Sequence, residues 1–93
     1  MAKKIKDIKK TTKQEFELFS EKQKKLANIL KEHRKAKGLS LRDVASHTFS
    51  EFDHSAIAHI ENGDRRLSFQ FYFEYCHLLQ IDPTLTYIKT FSI

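Results

Sequence analysis

Apolar side chains recur at helical spacing over residues 12–37, with mostly charged side chains between them. Thr12 with Glu15 has the spacing of a capping box, and Ser20 with Gln23 has the same spacing. This pattern predicts either one long helix or two helices separated near Ser20, and we favour the break. The stripe consists of Phe16, Phe19, Leu26, Ile29, Leu30 and His33.

Two shorter helices are predicted within residues 40–63. Ser40 and Asp43 form a capping pair at the start of the first, and Gly63 suits the left-handed residue after the second. A polar break at residues 50–53 separates them. The apolar positions are Leu41, Val44 and Ala45 on the first helix, and Ile57 and Ile60 on the second. Two short helices joined by a tight connection describe a helix-turn-helix, a motif that indicates binding to duplex DNA.

The last third of the chain is rich in aromatic residues. Ser68 is a cap for a helix over residues 69–79, although a strand competes because aromatics crowd its start. Asp82 and Pro83 suit the first turn of another element, and residues 84–93 allow a short fifth helix followed by a strand. The predicted buried face of the 69–79 helix consists of Phe69, Tyr72, Phe73, Cys76 and Leu79.

Charge is distributed unevenly along the chain, which carries a net charge of +5. Residues 1–38 hold thirteen basic and five acidic side chains, a net charge of +8. Residues 39–93 hold four basic and seven acidic side chains, a net charge of −3. A basic first half fits phosphate contact, and it fits a solvated lysine-rich helix equally well.

Composition and motifs argue against several other classes of protein. The chain has one cysteine, Cys76, which lies among aromatics and is expected to be a buried thiol. We find no membrane span and no secretory pattern, so we expect a cytoplasmic protein. We also find no phosphate-binding glycine loop and no catalytic carboxylate pair, so we expect no enzyme, no cofactor and no metal. The residues considered as zinc ligands and rejected for their spacing are His54, His59, Cys76 and His77.

Three sequence segments, in order, carry a resemblance to a known family. They are HRKAKGLSLRDVA, IAHIENGDRR and the helix ending LLQIDP. Together they resemble the phage-repressor (Cro/cI, or XRE-like) helix-turn-helix family over residues 24–83. The resemblance implies an all-α, compact four- to five-helix domain of the lambda-repressor type. We expect an additional N-terminal helical segment and, as an open alternative, a C-terminal strand.

The resemblance also assigns structural roles. Arg34 and Glu61 match an ion pair that ties the first helix to the end of the third. Residues 1–11 are expected to be a basic, disordered arm, residues 12–83 the helix-turn-helix domain, and residues 84–93 a tail that could serve in dimerisation. The core positions of the family correspond to Leu30, Leu41, Val44, Ala45, Ile57, Ile60, Phe69, Tyr72 and Leu79.

The family's DNA contacts transfer to two sets of positions. Side chains that face base edges in the major groove correspond to His54, Ser55, Ala58 and His59. Side chains that contact the DNA backbone correspond to Ser40, Arg42, Asn62, Arg65 and Arg66.

The resemblance implies a sequence-specific regulator that binds double-stranded DNA as a homodimer, either a repressor or an antitoxin-type autoregulator with a toxin or other regulator as partner. The alternative is a protein-interaction module whose DNA face is degenerate. The chain departs from the family pattern in three ways: Leu41 stands where the family has Gln, the turn before Asp53 is about two residues longer, and Glu51 and Asp53 add negative charge. The missing Gln and the acidic turn favour the alternative, whereas the turn with Arg65 and Arg66 and the basic first half oppose it. Leu67 also replaces a usual Pro, a change that we expect to alter little.

Overall fold

The computed structural model describes residues 9–92, and within that range it contains five α-helices and no strand. The predicted all-α fold is therefore confirmed. Most of the predicted N-terminal arm, residues 1–8, lies outside the described residues. The helices are α1 (Lys13–Ala36), α2 (Leu41–Ser46), α3 (His54–Glu61), α4 (Phe69–Leu79) and α5 (Pro83–Phe91).

Helix α1 is continuous, so the break that we favoured near Ser20 is wrong. Thr12 begins the helix as predicted: its hydroxyl accepts from the Glu15 amide at 3.1 Å, and its own amide donates to the Glu15 carboxylate at 2.9 Å. Residues 13–36 contain neither Gly nor Pro and are mostly strong helix formers. Ser20 therefore lies within the helix, and one serine with a cap-like spacing does not interrupt it.

Local capping fixes the two short helices. The Ser40 hydroxyl accepts from the Asp43 amide at 3.0 Å while the Ser40 amide donates to the Asp43 carboxylate at 2.8 Å. Asp53 caps α3 by accepting from the Ala56 amide at 2.8 Å. Capping therefore explains one of the two acidic residues in the turn.

Gly63 lies just after the end of α3, at a position that only glycine fits. Its φ is +84°, and a Cβ there would lie 2.7 Å from the Cγ of Lys24. Both the left-handed backbone and the close approach of α1 exclude a side chain. The prediction of a left-handed glycine is confirmed.

Helix α4 is a helix as predicted, but its buried face is rotated from the predicted one. Phe69 is 72% exposed and Phe73 is 41% exposed, whereas Phe71 and Tyr75 are fully buried. In a segment that is apolar at nearly every position, periodicity does not select the inward face. The cap at Ser68 and the packing against α1 and α5 select it instead.

The C-terminal residues form α5 and not a strand. The Asp82 carboxylate accepts from the amides of Thr84 and Leu85, and Pro83 occupies the first turn. Thr90 is buried, and its carbonyl accepts from the Lys22 ammonium group of α1 at 3.3 Å. Packing of α5 against α1 and α4 outweighs the strand preference of its β-branched residues.

One apolar core joins α1, α2, α3 and α4. Most of the core positions implied by the resemblance are buried, Leu41 and Ala45 are partly buried, and Phe69 is the exception. Cys76 is fully buried, as predicted, and burial raises the pKa of its thiol. The buried apolar side chains are Leu26, Ala27, Leu30, Val44, Ile57, Ile60, Leu67, Phe71, Tyr72, Tyr75, Cys76 and Leu79.

A buried polar group lies inside this core. The Arg34 guanidinium donates from Nε to Glu61 Oε2 at 2.9 Å and from Nη2 to Glu61 Oε1 at 3.0 Å. Its Nη1 donates to the Leu39 carbonyl at 2.8 Å, and the Tyr75 hydroxyl donates to Glu61. The hydrogen bond to Glu61 raises the pKa of Arg34, and burial raises the pKa of Tyr75. The structure thus brings together the two residues of the expected ion pair and adds Tyr75.

The long turn between α2 and α3 is anchored on α4. Glu74 accepts from the Ser50 amide at 3.0 Å and from the Ser50 hydroxyl at 2.8 Å, and Gln70 donates to its other oxygen at 3.3 Å. Phe52 packs edge-on against Phe71 with ring centroids 5.2 Å apart. These contacts hold the turn in place although it lacks glycine.

We expect Arg34→Ala to destabilise the protein strongly. The substitution leaves the Glu61 carboxylate buried without its cation, a change that costs about 3–5 kcal/mol in comparable buried pairs. Urea unfolding followed by circular dichroism measures the loss. Lys35→Ala, at the exposed neighbouring position, is the matched control and should change the unfolding free energy by less than about 0.5 kcal/mol. Equal stability of the two variants would contradict the role of the pair.

We expect Glu74→Gln to weaken the anchor of the turn in a pH-dependent way. Partial burial raises the pKa of Glu74, but hydrogen bonds from Ser50 and Gln70 outweigh burial, and the net pKa lies below the ordinary value of 4.5. A lowered folded-state pKa stabilises the fold above the ordinary pKa, and the contribution is lost as the pH falls through the folded-state value.

The stability difference between wild type and Glu74→Gln should therefore be largest near neutral pH and shrink below about pH 4.5. Urea unfolding at a series of pH values measures it, with hydrogen exchange of the Ser50 amide as a local readout. A difference that stays constant down to pH 3 would mean that the charge of Glu74 is not what holds the turn.

Candidate DNA-binding surface

The side chains expected to read bases share one face of α3. Ile57, Ile60 and Glu61 point into the core, which fixes the rotation of the helix about its axis. Ser55 and His59 are exposed, and the other two are half-buried. At 100° per residue the four positions and Asn62 fall within an arc of about 140° on the outer side of the helix. The structure therefore places on one solvent-facing surface His54, Ser55, Ala58, His59 and Asn62.

The turn after α3 carries two exposed arginines close to that face. The backbone amides of Asp64 and Arg65 both donate to the His59 carbonyl, at 2.8 Å and 3.2 Å, so the turn is fixed to the last residues of α3. The Arg65 guanidinium lies over the ring of Phe52, 4.7 Å from its centroid. Arg66 is exposed beside it. The turn therefore presents two permanent positive charges next to the outer face of α3.

Sequence analysis missed Phe52, although a signal for it exists. Phe52 immediately precedes the cap Asp53, and Ile57 follows four residues after the cap, which is the spacing of a hydrophobic staple. In the structure Phe52 packs against the core that contains Ile57, and its ring contacts the Arg65 guanidinium. A cation over an aromatic ring is stabilised by the ring quadrupole. The extended turn thus positions one of the expected backbone-contacting arginines.

Ser40 and Arg42 lie at the start of α2, and both are exposed. The Ser40 oxygen accepts from the Asp43 amide, so this hydroxyl takes part in the cap of α2. Hydrogen bonds from the backbone and side chain of Ser40 lower the pKa of Asp43, so a carboxylate occupies this helix start at neutral pH. Contacts to phosphate here would fall to the side chains of Ser40 and Arg42.

Helix α1 adds basic groups that sequence analysis did not single out. The Lys31 ammonium donates to the Asn62 side-chain oxygen at 3.4 Å, and the aliphatic stem of Lys24 passes over Gly63. The basic first half of the chain therefore meets the end of α3. The sequence alone gives only the total charge of residues 1–38. Which of these charges lie near α3 depends on how α1 packs against it.

Negative charge also lies near the surface. Asp64 contacts the Nδ1 atom of His59 at 3.5 Å, and both side chains are more than half exposed. Glu51 is exposed in the turn. An exposed pair of this kind is screened by solvent and salt and contributes little to stability. Its local effect is to place a carboxylate on the Nδ1 side of the His59 ring, with Nε2 at the opposite side of the ring.

Other kinds of site find no support in the described part of the chain. Among residues 9–92, no group of three or more His, Cys, Asp or Glu side chains is arranged to hold a metal ion. None of the helices in that range combines the length and apolar character needed to cross a membrane.

A comparison with protein families identifies one match. A family model described as "Helix-turn-helix domain" matches residues 25–86, which is 62 of the 93 residues and includes all of α2, α3 and α4. Searches of curated proteins and of solved structures found no significant match. The match covers the capped helix pair, the outward face of α3 and the arginine turn described above. The chain belongs to the helix-turn-helix domain family.

Proposed function

We propose that the protein is a sequence-specific DNA-binding regulator that inserts α3 into the major groove. The observation that carries this proposal is the surface on which exposed Ser55 and His59 adjoin the exposed Arg65 and Arg66. Polar side chains on one helix face suit hydrogen bonding to base edges, and adjacent guanidinium groups suit the phosphates on either side of the groove. Membership of the helix-turn-helix family supports this use of the surface.

The chemistry of the proposed base contacts depends on a few side chains. Ser55 can donate to or accept from a base edge. If the Nδ1–H of His59 points to Asp64, a neutral ring leaves Nε2 as an acceptor for the amino group of adenine or cytosine. A protonated ring instead donates from Nε2, which favours the acceptors of guanine. The contact with Asp64 thus favours the Nδ1–H tautomer of a neutral His59 ring.

The proposed functional form is a homodimer that acts as a repressor of Cro/cI or XRE-like type, or as an antitoxin-type autoregulator. Two copies related by a two-fold axis would present two α3 helices to successive major-groove faces, about 34–36 Å apart. A palindromic site would follow from that symmetry. The exposed apolar side chains of α1 support association with a second chain.

A protein-interaction module remains as the second candidate, and Leu41 and the exposed Glu51 favour it. Leu41 removes a polar contact at the start of α2, and Glu51 places a negative charge beside the proposed DNA surface. Salt dependence separates the two candidates, because release of counterions from phosphates is specific to nucleic-acid binding.

We expect the affinity for duplex DNA to fall steeply with salt. The slope of log affinity against log salt concentration should be about −0.9 for each phosphate neutralised. Fluorescence anisotropy with a labelled random-sequence duplex measures it between about 50 and 200 mM salt. Arg65→Ala and Arg66→Ala should each make the slope shallower by about one unit, and Lys89→Ala, which lies on α5, is the control. A flat slope, or absence of binding to any duplex, would favour the interaction module.

We expect His59→Ala and Arg65→Ala to have different effects on sequence preference. Loss of a base contact should change the preferred sequence, at about 1–3 kcal/mol for the affected base pair, whereas loss of a phosphate contact should weaken all sequences similarly. Selection of bound duplexes from a random pool, performed with wild type and both variants, measures the preference. If both variants weaken every sequence equally, base reading does not reside in α3.

A further inference from the structure

Helix α1 extends beyond the helices that cover it. Residues 13–19 are all exposed, whereas from Leu26 onward one side of the same helix is buried against the other helices. Phe16 is 63% exposed and Phe19 is 57% exposed. Both lie on the side of α1 that continues into the core, because they line grooves together with Gln23, Leu26 and Ala27. The first two turns of α1 therefore present core-type side chains that the rest of residues 9–92 does not cover.

Two grooves adjoin these side chains. The first, of about 400 Å³, lies between α1 and the turn after α3. It is lined by Phe16, Phe19, Lys24 and Leu67, and also by Arg65 and Arg66, the arginines proposed to contact DNA phosphates. The second, of about 320 Å³, lies where α1 meets α4 and α5, and Phe19 also lines it. The protruding aromatics and the grooves thus belong to one continuous surface. Its defining residues are Phe16, Phe19, Gln23 and Leu67, and we call it the α1 face.

The charges of α1 are segregated along the helix. Residues 14–21 contain three carboxylates and no basic side chain, whereas residues 22–25 contain three lysines and no carboxylate. Lys22 follows Glu15 by seven residues and Lys24 follows Glu17 by seven, so each pair lies about two turns apart on the same side of the helix. A helix with this order of charges is complementary to a second copy of itself in the opposite direction.

We propose that the α1 face is the interface between two copies of this chain, with the two α1 helices antiparallel. A two-fold axis close to Phe19 and Ser20 places the acidic segment of each helix, residues 14–21, along the lysine segment of the other, residues 22–25. Glu15, which flanks the aromatic side of α1, then approaches the partner's Lys22, which flanks the same side. A parallel pairing would instead bring like charges together.

The aromatic side chains give this interface its apolar centre. Phe16 and Phe19 of each copy enter the grooves of the other, which removes their exposed surface from water. Because the protruding aromatics, the grooves and both signs of charge all belong to or border the α1 face, this surface is self-complementary, as a two-fold interface requires. The lysines that take part remain free to donate, since Lys22 uses one proton for the Thr90 carbonyl and an ammonium group has three.

This pairing deepens the proposed function by naming the dimer interface, and it is tested without DNA. Sedimentation equilibrium of the full chain measures the dimer dissociation constant. Phe16→Gln with Phe19→Gln should raise that constant about 100-fold or more, because four aromatic side chains leave the interface. Leu18→Gln is the matched control: Leu18 is 52% exposed but lines neither groove, so the constant should stay within about threefold.

Charge reversal tests the direction of the helices. Glu15→Lys alone and Lys22→Glu alone should each weaken the homodimer about tenfold, since each places like charges opposite one another twice per dimer. A mixture of the two variants should recover the wild-type constant as a heterodimer, and a chain that carries both substitutions should recover it as a homodimer. Circular dichroism melting verifies that each variant folds, because Glu15 also completes the cap of α1 and Lys22 also donates to the Thr90 carbonyl. If a charge-reversed variant does not fold, the aromatic variant decides the test.

The outcomes divide cleanly. Dimerisation lost in the aromatic variant and recovered in the charge-reversed mixture supports the α1 face as the interface. A wild-type chain that stays monomeric overturns the proposal and leaves the grooves to a different occupant. A dimer that the aromatic substitutions leave intact overturns it as well. DNA affinity measured separately on the same variants shows whether the reading surface fails, so failure of the interface and failure of DNA binding are distinguishable.

Discussion

The buried contact between Arg34 and Glu61 is the constraint on which the rest of the structure depends. Taking both charges out of water is unfavourable, and the pair persists because its geometry is bidentate and its remaining groups are satisfied by the Leu39 carbonyl and the Tyr75 hydroxyl. A pair of planar groups that must meet edge to edge tolerates little rotation. It therefore joins α1, α3 and α4 at fixed angles, which apolar contacts alone would specify less sharply.

Fixing Glu61 inward also determines what faces outward. Glu61 is the last residue of α3, and with Ile57 and Ile60 it sets the rotation of the helix. The opposite arc, which includes Ser55 and His59, is then directed to solvent. The carbonyl of His59 in turn binds the amides of the following turn, which positions Arg65. One buried polar contact thus controls the presentation of both the proposed base-reading side chains and the proposed phosphate-binding arginine.

Features that depend on neighbouring residues could be predicted from the sequence, and features that depend on packing could not. The caps at Thr12, Ser40 and Ser68 involve residues three positions apart, so their pattern is visible in the sequence. The inward face of α4 depends on which of many aromatics meets α1, and Phe69 was misplaced for that reason. The contact between the Phe52 ring and the Arg65 guanidinium joins two turns that are distant in sequence, so only the folded structure shows it.

The order of charges along α1 shows how folding and the proposed assembly place the same demand on one helix. Within a single chain, carboxylates near the start of a helix and cations toward its end are favoured by the helix dipole, and Glu15 also completes the cap with Thr12. The same order makes an antiparallel pair of such helices complementary without further residues. Phe16 and Phe19 extend the apolar stripe past the helices that cover it, so packing among residues 9–92 does not account for their position. Their position is explained when a second α1 lies against the first.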